Sequence, residues 1–271
     1  ANLSKYLKQN NYALTVVGLP KTVDNDVYPI AQTLGAWTAA EQGAIFFENI
    51  ANENTTSDRQ LIIHEVMGRH CGWLTAATAL AYRNRLDKIN FIPEIGLKKE
   101  KWDVHSILLP EDEIDFDNEC VRLNQIMDKY DCVNVFLSEG AGMNVIIEEN
   151  EKSGETVLRD AFGHIRLDEL NPGKWFAKKL SERLNANKIL VQKSGYFGRS
   201  AKANSKDLEL IFKVSDKAVE SAIKGESGVV GWDEENNNML SCIDFSRIKG
   251  GKPFDTEVDW YVKMKKEIYN I

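Results

Sequence analysis

Near the start of the chain, Gly18-Leu19-Pro20-Lys21-Thr22-Val23-Asp24-Asn25-Asp26 sets a Lys, a Thr and two Asp within six positions. A carboxylate within hydrogen-bond reach of a hydroxyl can take its proton. Three later stretches again put polar groups beside glycines. Met67-Gly68-Arg69-His70-Cys71-Gly72 offers a guanidinium fork. Ser138-Glu139-Gly140-Ala141-Gly142 offers a carboxylate that can accept from ligand hydroxyls. Gln192-Lys193-Ser194-Gly195-Tyr196-Phe197-Gly198-Arg199-Ser200 is the most basic, with Lys193, Tyr196 and Arg199 suited to a phosphate. Taken singly, each also reads as ordinary surface: a polar loop with turn-favouring Asp and Asn, a tight corner with a surface Arg, an exposed loop carboxylate.

Their common feature is position. Each follows an apolar run that reads as a buried parallel strand: Ala13–Val17, Leu61–Val66, Val133–Leu137 and Ile189–Val191. In an open α/β sheet the carboxyl ends of the strands are where ligands bind. Apolar residues at helical spacing predict helices over 33–51, 73–82, 117–130, 172–186 and 206–224, with a last helix over 258–269. The helix opening at Trp73 would turn free amides toward an anion beside Arg69. His64 lies inside its strand and reads as a packed core residue, whereas His70 is better placed for a ligand. Lys88–Ile92 is expected to be a further short strand, and 95–116 loop or short helix. Residues 1–12 read as the end of a helix, and 228–232 as the start of a hairpin turning at Asn236–Asn238. Lys249-Gly250-Gly251-Lys252 does not follow a strand and open a helix, so it reads as a turn rather than a phosphate loop. Residues 148–171 are polar and read as an insertion, with Arg159, His164 and Arg166 as basic groups of no assigned role.

Strands and helices alternate throughout, which predicts parallel sheets with helices on both faces, a three-layer, doubly wound, Rossmann-like α/β architecture. Hydrophobic residues make up 43% and charged residues 28%, an ordinary globular balance. No run approaches the ~18 apolar residues of a membrane span. A net charge of −7 argues against general nucleic-acid binding, so any anion must be held by locally clustered bases. Cys71, Cys120, Cys132 and Cys242 fit neither a zinc site nor a redox pair, which suits free thiols in a reducing cytoplasm.

Together, Pro20–Asp26, Met67-Gly68-Arg69 and Gly195-Tyr196-Phe197-Gly198-Arg199, in this order and in these loops, resemble the phosphofructokinase family. The resemblance runs from the first strand to about Trp232. It implies phosphoryl transfer to the 1-hydroxyl of fructose 6-phosphate, giving fructose 1,6-bisphosphate in glycolysis. Family members that use inorganic pyrophosphate carry Lys where ATP-dependent bacterial members usually carry Gly, and Tyr-x-x-Arg where those have His-x-x-Arg. Lys21 and Tyr196 therefore point to pyrophosphate as donor, in a reversible reaction that releases phosphate.

The resemblance implies a role for each position. Asp24 is the general base and Lys21 the group beside the transferred phosphoryl. Thr22 and Val23 contact the substrate, and Asp26 organises the loop and reaches Mg²⁺ through water. Met67, Gly68 and Arg69 line the sugar-phosphate site, and Glu139 binds sugar hydroxyls. Tyr196 and Arg199 hold the 6-phosphate, with Lys193 nearby, and Phe197 and Gly198 between them belong to the substrate site. A family Arg that reaches a neighbouring subunit's site falls near Arg59, one residue out of register, and implies a homo-oligomer with shared sites. The family's Gly-Gly-Asp donor motif, which supplies the main Mg²⁺ ligand, is absent from the sequence and is expected upstream of Ala1. The expected chain is thus a piece with part of its first domain missing and negligible activity alone. Its expected divisions are 1–60 as the remainder of the donor domain, 61–232 as the sugar-phosphate domain, and 233–271 as a closing hairpin and helix. An ATP-dependent enzyme and a catalytically silent sugar-phosphate-binding regulatory subunit are the alternatives.

Overall fold

A computed structural model describes residues 1–152 and 170–269. Most of the insertion expected over 148–171, including Arg159, His164 and Arg166, lies outside the described residues. The architecture is α/β, as the alternation of patterns predicts. A four-stranded sheet runs in the order β4 (Ser106–Leu108), β5 (Cys132–Ser138), β3 (Gln60–Val66), β6 (Lys188–Lys193), parallel throughout. All seven residues of β3 are buried, and the two-residue period of a strand sends them to opposite faces.

Leu61 and Ile63 join Leu123 and Met127 of α5 (Phe116–Tyr130) and Phe176 and Leu180 of α7 (Pro172–Leu184). Ile62 packs on the other face with Phe47 of α2 (Ala36–Ala51), Tyr82 of α3 (Trp73–Leu86) and Tyr261 of α10 (Asp259–Tyr269). His64 shares that face, its ring 5.3 Å from Phe47 and 5.0 Å from Phe136, so it is the packed core residue expected. Burial pushes its imidazole down to about 3, leaving it neutral. Shorter helices lie around this frame: α1 (Asn2–Gln9), α4 (Lys99–Trp102), α6 (Met143–Lys152) and α8 (Gly195–Arg199).

A second, smaller sheet has β1 (Val17–Gly18) parallel to β7 (Gly228–Asp233), which pairs antiparallel with β8 (Met239–Ile243). Leu210 and Val214 of α9 (Ser205–Ile223) cover Val230 in it. Asn204 caps α9 by accepting from Asp207 N at 3.0 Å. Asp207 in turn accepts from Gly35 N at 2.9 Å and Thr38 N at 2.7 Å, capping α2 from the neighbouring helix.

Four expectations need correction. Lys88–Ile92 is not a strand: Ile89 and Ile92 are 41% and 49% exposed, and Ile92 makes only an isolated bridge to Leu97. The strand is β4, inside the stretch read as loop, where His105 and Ser106 masked the apolar run. Both polar groups are satisfied within the fold: Asn134 N donates to His105 Nδ1 at 2.9 Å, and Ser106 Oγ donates to Glu119. The run Ala13–Val17 pairs only at its end. Its partner β7 begins at Gly228, level with Val17, and Leu14 stays 63% exposed. Lys249–Lys252 is more than a turn, since β9 (Lys249–Gly250) pairs antiparallel with β2 (Val27–Tyr28). Apart from these four, contacts cross the expected divisions at 60 and 232. β7, from the middle segment, pairs with β1 from the first, and α2, from the first, packs on the sheet of the second.

Candidate active site

Strand register brings three of the predicted loops together. Val66 lies opposite Ser138, and Glu65 opposite Lys193, so the loops after β3, β5 and β6 leave the sheet at one level. Gly68 adopts φ +134°, and a Cβ there would fall 2.4 Å from Cys71 O. Only glycine takes that turn without strain. Ser138 Oγ donates to Gly68 O at 2.6 Å, and Glu139 N donates to Val66 O at 2.9 Å, stitching the β3 and β5 loops. Gly68 N donates to Glu139 Oε1 at 3.4 Å. Arg199 Nε lies 2.9 Å from Met67 Sδ, joining the β6 loop to the β3 loop.

The result is a cleft of about 530 Å³ lined by Glu65, Met67, Glu139, Lys193, Tyr196 and Arg199, among others. That is the scale of a small-molecule site. Tyr196 is 89% exposed. Phe197 and Gly198 make their contacts with α2, the ring of Phe197 lying 5.6 Å from Phe46 and Gly198 sitting against Ala39. They hold α8 in place.

The loop carrying Lys21 to Asp26 is built differently, from side-chain hydrogen bonds. Thr33 N donates to Asn25 Oδ1 at 2.8 Å, and Thr33 Oγ1 donates to Thr22 O at 2.7 Å. Asn25 holds a left-handed φ of +58°, which Asn tolerates better than most residues. Thr22 Oγ1 donates to Asp26 Oδ1 at 3.1 Å and accepts from Asp24 N at 3.3 Å. Val23 is buried among Ala39, Ala40, Val66 and Leu74, so its side chain anchors the loop and only its backbone is left to face a ligand. Lys21 is exposed, and among the described residues its ammonium has no hydrogen-bond or ion-pair partner.

This loop reaches the cleft through charge. Burial pushes the Asp24 carboxyl up to about 6, with the Asp26 and Glu139 carboxylates adding to the rise and the Arg199 and Arg69 guanidiniums opposing it. Among the described residues, one carboxylate oxygen, Asp24 Oδ1, is buried without a hydrogen-bond partner. Glu139 is also raised, first by burial, while the Gly68 amide and the two guanidiniums lower it. A carboxylate of this kind, open on one oxygen and flanked by cations, is suited to accept a proton near neutral pH.

The structure adds groups that the motifs did not contain. Glu65 lines the cleft from inside β3, only 6% exposed. Its signal was a charged residue inside an apolar strand, directly before Val66-Met67-Gly68-Arg69. Lys252 N donates to Asp26 O at 2.9 Å, and Lys252 Nζ donates to Ile30 O at 2.7 Å, strapping the Asp24 loop from a point more than 200 residues away. Nothing local to Lys252 signals that contact. Arg59 is engaged at the amino end of β3, donating to Asp128 Oδ1 at 2.7 Å and Leu184 O at 2.6 Å. His70 is exposed. Cys71 is buried, and burial holds its thiol up at about 12. No helix among the described residues is long and apolar enough to cross a membrane.

Comparison with known proteins agrees with this geometry. The family model described as "Phosphofructokinase" matches residues 2–222. The pyrophosphate–fructose 6-phosphate 1-phosphotransferase of Methylomonas methanica is 56% identical over 99% of this chain and 66% of its own length. The protein of that name from Mastigamoeba balamuthi is 50% identical over 99% of this chain and 65% of its own. The chain therefore spans just under two thirds of the length of these relatives. Among solved structures, a pyrophosphate-dependent phosphofructokinase from Marinobacter aquaeolei superposes with a TM-score of 0.59 at 24% identity, covering 93% of this chain and 54% of that one. Phosphofructokinase from Saccharomyces cerevisiae superposes with a TM-score of 0.53 at 21% identity, covering 79% and 24%. Fold, loop geometry and sequence agree, and the chain belongs to the phosphofructokinase family.

Proposed function

We propose that this chain carries the sugar-phosphate site and the catalytic loop of an enzyme that transfers a phosphoryl group from pyrophosphate to the 1-hydroxyl of fructose 6-phosphate. The observation that carries the reading is Asp24 Oδ1, a buried carboxylate oxygen with no partner, at the junction of the loop and the cleft. Fructose 6-phosphate lies in the cleft with its phosphate toward Tyr196, Arg199 and Lys193. Met67 lines the cleft, and Gly68 and Arg69, which follow it in the β3 loop, contact the sugar phosphate. Glu139 accepts from sugar hydroxyls. The 1-hydroxyl donates to Asp24, which takes its proton as the oxygen attacks phosphorus. Lys21, whose ammonium is unpaired among the described residues, stabilises the charge on the transferring group, and Thr22 holds the substrate by its hydroxyl. The relatives named for pyrophosphate, together with Lys21, favour that donor over ATP.

Among the described residues no group of three or more His, Cys, Asp or Glu side chains could hold a metal ion. That fits Mg²⁺, which is usually held by one or two carboxylates and the substrate's own phosphates. Asp26 would reach it through water, its Oδ1 taking the hydroxyl of Thr22. When bound, Mg²⁺ neutralises charge on the phosphates. The reading also includes a homo-oligomer in a reducing cytoplasm. Arg59 donates to Asp128 Oδ1 at the amino end of β3 and is given no role in this reading.

The test is calorimetric binding of fructose 6-phosphate to this chain, with a coupled turnover assay in pyrophosphate and Mg²⁺. Binding that Arg199→Ala weakens about 10- to 100-fold, with negligible turnover by the chain alone, is the expected result. No binding sinks the assignment of the cleft, and robust turnover by the chain alone sinks the division of labour.

A further inference from the structure

Glu65 is at first sight misplaced. It puts a carboxylate in the wall of a cleft whose other groups are suited to a phosphate dianion, and like charges repel most strongly where water is scarce. Its surroundings resolve the conflict. Glu65 Oε1 lies 2.8 Å from Lys193 Nζ, with Glu65 only 6% exposed and Lys193 half exposed. Glu65 Oε2 accepts from Gly173 N at 3.0 Å, at the start of α7. A Cβ on residue 173 would fall 2.3 Å from Glu65 Oε2 and 2.8 Å from Val191 Cγ1, so the close approach needs glycine. Lys193 Nζ also donates to Asn171 Oδ1 at 3.3 Å.

The carboxylate is thus held on one oxygen by a helix N-terminus and uses the other to hold an ammonium. A free lysine would sample many rotamers, and ordering it on ligand binding costs affinity. Here the ordering is done before the ligand arrives. Lys193 differs in this from Arg69, for which no hydrogen bond or ion pair restrains the guanidinium among the described residues.

We infer that Glu65 is a positioning residue for the sugar-phosphate site, fixing the ammonium of Lys193 in the cleft so that it meets the anionic end of the substrate already oriented. The inference rests on the proposed sugar-phosphate reading of the cleft and extends it to a residue outside the motif loops. The Lys193 ammonium is ion-paired with Glu65 and donates to Asn171, and with three N–H donors it keeps one for a phosphate oxygen.

The sign of one substitution tests it. Glu65→Gln removes a negative charge from the cleft and keeps an oxygen able to accept from Gly173 N. If the carboxylate merely repelled anions, the variant would bind fructose 6-phosphate more tightly. Positioning predicts the opposite, about 5- to 20-fold weaker binding by calorimetry, the range expected of one charge-assisted contact. It also predicts that Glu65→Gln changes little further in a Lys193→Met background. In the parent protein the Lys193 ammonium should give a slowly exchanging ¹⁵N resonance, which Glu65→Gln should erase. Tighter binding by Glu65→Gln overturns the inference. So does equal weakening in both backgrounds, the result of a purely structural role. Inorganic phosphate serves as a second probe. If the parent binds phosphate but gains nothing from the sugar, the sugar reading fails while the Glu65 comparison is still read with phosphate. If the parent binds neither, both fail.

Discussion

The loop from Lys21 to Asp26 and the three loops that line the cleft meet at one place but are held by different forces. The cleft loops inherit their positions from strand register: once β5, β3 and β6 pair, Glu139, Met67 and Ser194 leave the sheet side by side. The Asp24 loop follows a strand that pairs over only two residues. It depends instead on Asn25, Thr33, the buried Val23 and the strap at Lys252. The groups proposed for binding therefore sit on a rigid frame, and the group proposed to accept the proton sits on a loop assembled from individual hydrogen bonds. Loops of that kind have lower local stability and can adjust to a bound substrate.

Several substitutions would break or sharpen this contrast. Asp24→Ser, made in a protein of the relatives' full length, should have the largest effect, lowering turnover about 10²- to 10⁴-fold. Affinity for fructose 6-phosphate should barely change in the same variant, and surviving turnover would remove Asp24 as the base. Arg199→Ala should act on the other half, weakening binding of fructose 6-phosphate about 10- to 100-fold with the fold intact by circular dichroism. An unchanged isotherm would move the phosphate elsewhere. Gly68→Ala strains the turn between β3 and α3 and should cost about 1–3 kcal/mol in urea denaturation. Asn25→Ala leaves Thr33 N unsatisfied, which should cost about 1–3 kcal/mol. Its effect on turnover should exceed its effect on affinity, and equal losses would mean that the two regions are one unit.

The smallest effect concerns pH. The Asp24 carboxyl rises from 3.8 to about 6 on folding, so the folded chain binds that proton more tightly than the unfolded chain. The stabilisation is fully present below about pH 4 and lost as pH rises through about 6. Asp24→Asn should then melt above the parent protein near neutral pH, and the gain should disappear in thermal scans near pH 4. In a protein of the relatives' full length, turnover should rise over the same interval as the base ionises. A gain independent of pH would mean that burial does not hold the carboxyl up.

How much of this was legible beforehand differs between the same two regions. The four loops were found as chemistry, and the buried runs Leu61–Val66 and Val133–Leu137 as strands, because a strand buried on both faces leaves an unbroken apolar run. β4 was missed because His105 and Ser106 interrupt that run, and only partners distant in sequence satisfy them. Val23 turns its side chain inward against Ala39 and Ala40, and a motif does not show which of its side chains do so.

By itself the sequence determined the fold class, the residue types at the carboxyl ends of the strands, and the family to which they belong. These follow from local periodicity and short spacings, which survive without knowledge of three-dimensional neighbours. Tertiary structure alone decided that Glu65 holds Lys193, that Lys252 straps the Asp24 loop, and that Asp24 lies where burial and two neighbouring carboxylates raise its pKa. Burial and charge coupling depend on distances between residues far apart in the chain, and spacing along the sequence does not encode them.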